Sequence, residues 1–409
     1  MSAEQTYLPR TIESVIRETS KLFKVVLLTG MRQTGKSTTL AHLAENNRAR
    51  LALDNDDLLR EAKQAAGIFF ERHPTPLLLD EVQRAPNLFL QMKAEVDSRP
   101  DKGQIWATGS QKFALMKGVT ESLVGRLIPL ELMTLSIYER IGLGLQQKPY
   151  VPTVVTRELL PIPSSDEAWH TIWQGAWPEV AEASPRAREF FFRALLETYL
   201  DQDIHRTLDI EKLAEFHTFI SALASLTGQE LRIGTLAQAA GVSEPTVKKW
   251  LSVAEASGII YLLRPYLANI RKQLVKSPKV YFTDTGLAAY LCGFSSPEQL
   301  RTSREAGAFF ETFALMEILK SWVHNGSRAE FFFYRDSKTR EKIDLLIRAD
   351  GKLHPVEFKS SDHPTPAAIK NFKVLQDLPE DIGHGAVVCL SQKSYALTNG
   401  CTVHSLWAI

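Results

Sequence analysis

Residues 30–37 of the chain read GMRQTGKS, which has the spacing Gly-x-x-x-x-Gly-Lys-Ser. Glycines at these positions let successive backbone N–H groups turn toward the oxygens of a phosphate chain, and a following helix adds the positive end of its dipole. In such a loop Lys36 reaches the β- and γ-phosphates, and the Ser37 hydroxyl is a ligand of Mg²⁺. The segment therefore predicts a P-loop that binds a nucleoside triphosphate together with Mg²⁺.

The residues on both sides of this segment have the pattern that a P-loop requires. Residues 24–28 are an apolar run typical of a strand, and residues 38–44 favour a helix. A glycine-containing turn with a chance lysine would lack this strand–loop–helix setting. The residues predicted to bind the nucleotide are Gly30, Met31, Arg32, Gln33, Thr34, Gly35, Lys36, Ser37 and Thr38.

Two adjacent carboxylates, Asp80 and Glu81, end another apolar run, at residues 76–79. At the carboxyl end of a parallel strand they would lie beside the nucleotide, where ligands bind in such sheets. Asp80 would belong to the Mg²⁺ shell, and Glu81 would polarise the attacking water. The alternative, an acidic pair that only closes a strand, is less favoured because a P-loop precedes it by about 44 positions. The pair predicts hydrolysis as well as binding.

Two further residues are weaker candidates. Ser110 ends the strand predicted at residues 104–110, where its hydroxyl would touch the γ-phosphate or the water, although Gly and Ser also favour ordinary turns. Arg126 would act in trans as an arginine finger that stabilises the charge of the transition state. A surface arginine on a loop is more often simply solvated.

Short apolar strands alternate with helical patterns through the first 140 residues. Strands are predicted at 50–54, 76–81, 104–110 and 127–132, and helices at 57–71 and 87–96. Near-continuous apolar strands interleaved with helices indicate an α/β domain with a parallel sheet covered on both faces.

A second set of chemically competent residues lies near the C-terminus. Asp344 falls in a predicted strand at residues 343–347, and Glu357 and Lys359 lie two apart in the next one, so they project from the same face. Two carboxylates on adjacent strands converge on Mg²⁺, and the lysine orients or deprotonates the attacking water. Glu311, on a helix predicted from residue 307, would complete the metal shell. The alternatives are a salt bridge around Glu357 and Lys359, or a silent site.

The middle of the chain predicts a connector and a helix-turn-helix. Residues 138–166 gain Gly and Pro, which indicates a loop-rich segment, and helices follow at 169–177 and 187–208. Residues 235–263 read as a helix, a turn at Gly241, a second helix capped by Ser243, and a wing. The tryptophans at helical spacing favour the core over base stacking; they are Trp169, Trp173 and Trp177.

A winged helix binds DNA or protein. In the DNA reading, Thr246, Lys248 and Lys249 face a groove and Arg264 meets phosphate, but two lysines make a thin basic face. The densest basic stretch near the C-terminal domain either contacts a nucleic-acid backbone or is a solvated loop; it comprises Arg271, Lys272, Lys276 and Lys279.

Composition limits the classes of protein that the chain can represent. With 409 residues, two or three domains are expected. The 48 basic and 47 acidic residues balance, so nucleic-acid contact must come from local patches. Three cysteines without paired spacing predict a reducing compartment and no disulfides. The chain shows no signal peptide or membrane span, so a soluble, cytoplasmic protein is expected.

Four segments together resemble the AAA+ ATPases: GMRQTGKS at 30–37, LLLDEVQ at 77–83, TGSQ at 108–111 and LVGR at 123–126. They are similar to a largely uncharacterised prokaryotic branch with a distinctive C-terminal domain. The resemblance implies ATP as the nucleotide and a homo-oligomer, such as a hexameric ring, with nucleotides at subunit boundaries. It also implies a restriction-endonuclease-like fold at the C-terminus, consistent with the order helical Glu, Asp, Glu-x-Lys.

The sequence thus predicts four domains: a P-loop ATPase at 1–140, a connector at 141–225, a winged helix at 226–268 and a restriction-endonuclease-like α/β domain at 269–409. The leading hypothesis is an ATP-hydrolysing protein that acts on DNA and has nuclease competence. The rivals are a regulatory ATPase that binds protein partners through a catalytically silent nuclease-like fold, and a signal-transduction NTPase without DNA.

Overall fold

The structure is a computed structural model that describes residues 7–110, 123–154, 160, 164–197, 213–266, 277–336 and 341–409. The chain divides into two compact units. The first consists of residues 1–147 with the short segments 256–258 and 323–326. The second contains the remainder of the chain, so the main division lies a few residues after the predicted boundary at 140.

A five-stranded parallel sheet is the centre of the first unit. Its strands are β1 (Val25–Thr29), β2 (Ala49–Ala52), β3 (Leu77–Asp80), β4 (Ile105–Gly109) and β5 (Leu127–Glu131). They lie in the order β2-β3-β4-β1-β5, and each neighbouring pair is parallel. Alternate side chains of β1 enter two separate apolar clusters, one on each face of the sheet. The predicted α/β architecture with both faces covered is confirmed.

Helices cover this sheet. They are α1 (Ile12–Leu22), α2 (Lys36–Leu43), α3 (Asp56–Gln64), α4 (Ala66–Arg72), α5 (Leu88–Asp97) and α6 (Ile137–Arg140). The single helix predicted at 57–71 is two helices, because Ala65 leaves the helical region with φ −132°. Helix α6 begins with a capping box, in which Ser136 and Glu139 satisfy each other's backbone N–H groups.

The second unit begins with helices and a helix-turn-helix. Its helices are α7 (Ser165–Gln174), α8 (Pro185–Leu195), α9 (Leu213–Ser225), α10 (Ile233–Ala240), α11 (Glu244–Ala256), α12 (Thr285–Leu291), α13 (Pro297–Thr302) and α14 (Ala306–Val323). Helix α7 ends at Gln174, with Gly175 as its C-cap, earlier than the end predicted at residue 177. The prediction that the three tryptophans are core is confirmed, because Trp169, Trp173 and Trp177 are all buried.

A nine-stranded sheet runs through the rest of the second unit. Its strands are β6 (Gln229–Glu230), β7 (Ile260–Pro265), β8 (Lys279–Phe282), β9 (Phe331–Arg335), β10 (Lys342–Ala349), β11 (Lys352–Lys359), β12 (Gly385–Cys389), β13 (Tyr395–Thr398) and β14 (Cys401–Ser405). The order is β13-β14-β12-β11-β10-β9-β7-β8-β6.

Strand pairing is continuous across the boundary predicted at residue 268. Strand β7 pairs with β8 and also, in parallel, with β9. The helix-turn-helix and the C-terminal strands therefore share one sheet. Helices α10 and α11 and the turn at Gly241 lie where the winged helix is predicted, and both the winged-helix assignment and its function stay predictions.

Candidate functional sites

The loop between β1 and α2 has a backbone that few other residues could adopt. Gly30 has φ +146°, and a Cβ atom there would lie 2.1 Å from the carbonyl oxygen of Leu132. Gly35 has φ +94° and directly precedes α2. The two glycines therefore bring the loop against the exit of β5 and turn it into the first turn of a helix, whose N–H groups lack intrahelical partners.

Lys36 folds back over this loop. Its Nζ donates to the carbonyl oxygens of Gly30 at 3.0 Å and Met31 at 2.6 Å, and the side chain is buried. These carbonyls occupy the acceptor role that phosphate oxygens would have. A buried ammonium group at the mouth of a glycine loop fits a triphosphate, so the residues present suit the predicted nucleotide.

Asp80 connects three elements at the carboxyl edge of the sheet. It ends β3, and its Oδ1 accepts a hydrogen bond from Ser37 Oγ at 2.7 Å and another from Thr108 Oγ1. The two predicted Mg²⁺ ligands, Ser37 and Asp80, are thus brought together. A hydroxyl and a carboxylate in contact are the oxygen ligands that Mg²⁺ takes beside a nucleotide.

Glu81 follows with an unusual backbone and a polar network. Its φ is +56°, in the left-handed region that non-glycine residues rarely occupy and that is found mainly at functional sites. Its Oε2 accepts from Gln83 Nε2, and Gln83 also donates to Ser110 Oγ at 3.0 Å. Thr108 Oγ1 accepts from the Glu81 N–H at 3.1 Å. The structure brings Glu81 and Ser110 together as predicted and adds Gln83.

A cluster of buried polar and charged side chains, Arg10, Glu139 and His324, packs behind the glycine loop and bonds to its backbone through Arg10. Arg10 donates to the carbonyl oxygens of Thr34 at 2.7 Å and Met133 at 2.9 Å, and its Nε lies 3.1 Å from Glu139 Oε2. His324 Nδ1 lies 3.1 Å from Glu139 Oε1, and its Nε2 accepts from the Met133 N–H. Burial raises the pKa of Glu139, but Arg10 and His324 outweigh it and hold the pKa well below its usual range.

The remaining predicted loop residues have varied positions. Met31 and Thr34 are buried, and Thr34 Oγ1 donates to the Met31 carbonyl at 2.9 Å. Gln33 is exposed with φ +60°. Arg32 is half-buried, and Thr38 is exposed near the start of α2.

Arg126 lies at the opposite end of the strands from the glycine loop. Its carbonyl accepts from the N–H groups of Lys24 and Val25, where β1 begins, whereas the loop follows the other end of that strand. The five residues of β1 lie between Arg126 and the glycine loop and span roughly 16 Å. The guanidinium makes a two-pronged contact with Asp97, at 2.6 and 2.8 Å. Arg126 is therefore not part of this chain's own nucleotide site, and its action in trans stays a prediction.

In the second unit, Asp344 and Glu357 are buried on the adjacent strands β10 and β11. Asp344 Oδ2 accepts from the Phe358 N–H at 3.2 Å. Lys359 Nζ donates to Glu357 Oε1 at 2.7 Å. The other oxygens, Asp344 Oδ1 and Glu357 Oε2, are buried without a hydrogen-bond partner. Lys342 Nζ lies 3.5 Å from Asp344 Oδ1 without a hydrogen bond. Two neighbouring carboxylates still fit a divalent cation, since Mg²⁺ is commonly bound through one or two carboxylates.

Glu311, the third predicted metal ligand, is engaged by other groups. Its Oε1 accepts from Lys279 Nζ at 2.8 Å and from the Tyr281 hydroxyl at 2.6 Å. Lys279 Nζ also lies 4.0 Å from Asp344 Oδ1. Across the described ranges, no three His, Cys, Asp or Glu side chains converge as metal ligands. The predicted three-carboxylate shell is not preassembled, because a lysine ammonium lies between two of its members.

The pKa shifts of the carboxyl groups and of Lys279 are consistent with this crowding of negative charge. Burial and then the nearby Asp344 raise the pKa of Glu357 to about 7. The same two causes raise the pKa of Glu311. Burial lowers the pKa of Lys279, but Glu311 and Asp344 outweigh it, so the pKa is raised and the lysine stays charged. Perturbed groups in such clusters mark candidate functional sites.

This crowding predicts a pH dependence of stability in metal-free protein. The Glu357 pKa of about 7 in the folded chain exceeds the ordinary 4.5 expected when unfolded, so the folded state binds more protons between those values. Stability should therefore fall as pH rises from about 5 to 7, by at most about 3 kcal/mol. Glu357→Gln should flatten this slope in thermal unfolding with EDTA. The exposed Glu71→Gln is the control, and an unaltered slope in Glu357→Gln would contradict the assignment.

Several of these residues were not predicted from sequence. Arg10 and His324 carry no motif, and their partners lie far along the chain. Gln83 ends the LLLDEVQ segment, but no role of its own is predicted for it. Glu139 has one local signal, the Ser136-x-x-Glu139 capping box, which predicts a helix start but not the buried cluster. Lys279 belongs to the basic stretch predicted either to contact a nucleic-acid backbone or to form a solvated loop; it lies on strand β8 in a buried ion pair, and nucleic-acid contact stays a prediction. Arg271, Lys272 and Lys276 lie outside the described residues.

Three family models match the chain, and together they cover most of it. Residues 22–141 match one described as an AAA domain. This match indicates an AAA-type ATPase domain. Residues 165–298 and 306–409 match two models described as domains of unknown function, DUF8612 and DUF4143. The AAA domain contains the glycine loop, Asp80 and Glu81, which supports ATP binding and hydrolysis by the first unit.

Curated relatives extend the similarity beyond the AAA domain. Uncharacterised proteins of Mycobacterium bovis and Mycobacterium tuberculosis are each 25% identical to the chain over 342 residues. The alignment covers 83% of this chain and 71% of each relative. An alignment of this length is longer than the AAA domain and extends into the second unit.

Solved structures show weaker likenesses. A RuvB variant of Thermotoga maritima is 14% identical, with 61% of this chain and 85% of that chain covered and a TM-score of 0.28. A signal transduction ATPase with numerous domains from Pyrococcus horikoshii is 11% identical, with 80% and 49% covered and a TM-score of 0.21. A Vibrio cholerae protein is 10% identical, with 93% and 94% covered and a TM-score of 0.18. TM-scores this low do not establish a shared overall fold.

Helix α14 has 18 residues and is the longest of α1 to α14. Of the helices in the described part of the chain, none combines the length and the apolar character that crossing a membrane demands.

Proposed function

We propose that this chain is an ATP-driven protein that acts on DNA and cuts phosphodiester bonds at Asp344, Glu357 and Lys359. The observation that carries the proposal is the pair of buried carboxylates, Asp344 and Glu357, each with one oxygen that makes no hydrogen bond, beside Lys359. Asp344 Oδ1 is partly compensated by the ammonium of Lys342 at 3.5 Å, and a cation bound between the two carboxylates would stabilise both. The AAA domain supplies the ATPase half of the proposal.

At the nucleotide site, Lys36 would exchange its two loop carbonyls for phosphate oxygens. The contact is already short and buried, so the ammonium needs only a small movement. Ser37 and Asp80 would hold Mg²⁺, which neutralises phosphate charge when bound. Glu81 would orient the attacking water, and Gln83 and Ser110 fix the position of its carboxylate.

At the second site, Asp344 and Glu357 would hold a divalent cation, which polarises the phosphate and its attacking water when bound. Lys359 would then orient that water and offset the charge of the phosphate. Hydrolysis consumes one water, whose oxygen bonds to phosphorus while the leaving oxygen takes up a proton. Glu311 would remain with Lys279 and Tyr281 and would position them.

DNA contact and assembly complete the proposal. Helix α11 presents Lys248 and Lys249 on an exposed face, and Arg264 is exposed on β7. Cationic side chains on such a module suit phosphate contacts. Because Arg126 lies away from the nucleotide site of its own copy, we propose a homo-oligomer in which Arg126 of a second copy approaches that site.

One observation favours a second function. Lys279 pairs with Glu311 and lies near Asp344, where a third metal ligand would need an open position, as expected of a site that has lost cleavage. In that case the chain is a regulatory ATPase whose nuclease-like fold binds partners without cutting.

ATP hydrolysis by the purified protein, with and without single-stranded, duplex and branched DNA, tests the proposal. We expect at least one DNA to stimulate turnover and to run as nicked or shortened strands afterwards on a gel. Stimulation without cutting would favour the regulatory ATPase. Turnover indifferent to every DNA, with all strands intact, would refute action on DNA.

A further inference from the structure

A cavity of about 430 Å³ opens beside the carboxylate site, entirely within the second unit. Arg232 and Thr235 of the helix-turn-helix line one side of it, and Lys279 and Lys342 line the other. Its volume lies in the range of small-ligand pockets, about 300–1,000 Å³. Glu311 also lines the cavity, and its partner Lys279, a second lining residue, lies 4.0 Å from Asp344 Oδ1 of the proposed cleavage site.

The strand geometry explains why this cavity and the carboxylates share a face. Arg335 of β9 and Lys342 of β10 are paired across the sheet, so their side chains point to the same side. Asp344 lies two residues beyond Lys342 and therefore projects from that side as well. Lys342 Nζ lies 3.5 Å from Asp344 Oδ1. A ligand in the cavity is thus one side chain away from the carboxylate site.

The lining carries an excess of positive charge. Four cationic side chains, Arg232, Lys279, Arg335 and Lys342, face two carboxylates, Glu230 and Glu311. Both carboxylates are already paired, with Arg335 and Lys279 respectively. Lys342 is in turn paired with Asp344, 3.5 Å away. Among these six side chains the charge of Arg232 therefore remains in excess, which favours an anionic ligand.

The first turn of α10 adds backbone donors to the same wall. Arg232 is its N-cap and Thr235 its third residue, and both line the cavity. An arginine N-cap has no side-chain oxygen to accept from the first N–H groups of the helix, and no side chain caps them. The Glu244 carboxylate approaches the same turn, since a Cβ atom at Gly234 would lie 3.3 Å from its Oε1, so the attraction for an anion rests mainly on Arg232.

We propose that this cavity binds a phosphate of a polynucleotide strand, next to the phosphate held at Asp344 and Glu357. The inference rests on the proposed function and names the substrate class of that site: a continuous strand with at least two successive phosphates, rather than an isolated phosphodiester. Arg232 and the first turn of α10 bind the neighbouring phosphate. Lys279 and Lys342 lie between the two phosphate positions.

Two measurements with the full chain test this. The first is the affinity for a fluorescein-labelled single-stranded 12-mer by anisotropy, in EDTA so that cutting plays no part. Arg232→Glu should weaken binding about tenfold or more and lower the salt slope, because a phosphate contact is lost. Arg186→Glu, an equal charge change on exposed helix α8, is expected to stay within about twofold.

The second measurement compares Mg²⁺-dependent hydrolysis of the 12-mer with that of bis(p-nitrophenyl) phosphate, which has a single phosphate. Arg232→Glu should lower the ratio of 12-mer to small-diester turnover at least about tenfold. An unchanged affinity for the 12-mer in Arg232→Glu would overturn the inference, as would inorganic phosphate binding as tightly as the 12-mer. Weakened 12-mer binding without hydrolysis of either compound would refute cleavage and leave the strand-binding cavity supported.

Discussion

Lys36→Ala is expected to lower ATP turnover by about 100-fold or more, since removing one preorganised positive group from a transition-state site typically costs that much. In the structure the ammonium is buried and directed into the glycine loop, with two carbonyls in the acceptor role of the phosphates. Its loss removes the charge that would lie against the β- and γ-phosphates. Steady-state phosphate release from the purified variant measures the effect.

A matched control separates this effect from a general loss of lysine charge. Lys63 is exposed near the end of α3, away from the loop, and Lys63→Ala should keep wild-type turnover. The thermal unfolding midpoint of both variants should be compared first, so that misfolding is recognised. Turnover by a folded Lys36→Ala variant at the wild-type rate would show that ATP is hydrolysed elsewhere.

Asp344→Asn is expected to abolish Mg²⁺-dependent strand cleavage while ATP turnover remains. The change keeps the size of the side chain but removes one of the two charges that would bind the cation, and a loss of about 100-fold or more is expected. Gel analysis of a labelled strand measures cleavage, and phosphate release from the same sample measures ATP turnover. Loss of both activities together would instead indicate misfolding.

The neighbouring turn offers a control for this substitution. Asp350 joins β10 to β11 with φ +50°, a conformation that asparagine accepts readily, so Asp350→Asn should leave cutting intact. If Asp344→Asn cuts as fast as the wild type, the carboxylate pair is not the cleavage site, and any nuclease activity belongs to another part of the chain or to a contaminant.

The nucleotide site is largely predictable because each of its parts has a local signature. The glycine loop follows from its spacing, and Asp80 follows from an apolar strand that ends in carboxylates. Parallel pairing then brings these ends to one edge without further information. Gln83 was missed because a polar residue in a short turn has many alternative uses.

The second site is less predictable because its character depends on neighbours that only the fold brings together. The positions of Asp344, Glu357 and Lys359 on adjacent strands follow from alternation. The pairing of Glu311 with Lys279 does not follow from alternation. Lys279 lies on β8, which belongs to the sheet that the helix-turn-helix region shares with the C-terminal strands, and only this shared sheet brings Lys279 to Glu311. Strands β12 to β14 were also not predicted, although β12 is wholly buried.

The Arg10–Glu139–His324 cluster has a consequence for synthesis of the chain. His324 binds Met133, 191 residues earlier, and belongs to the same compact unit as the AAA domain. A nascent chain that has emerged only through the AAA domain holds Glu139 with Arg10 but without the imidazole of His324, and removing one member of a buried charge cluster is destabilising. The ATPase unit therefore completes its folding late in translation, and truncation after residue 147 should yield a destabilised domain.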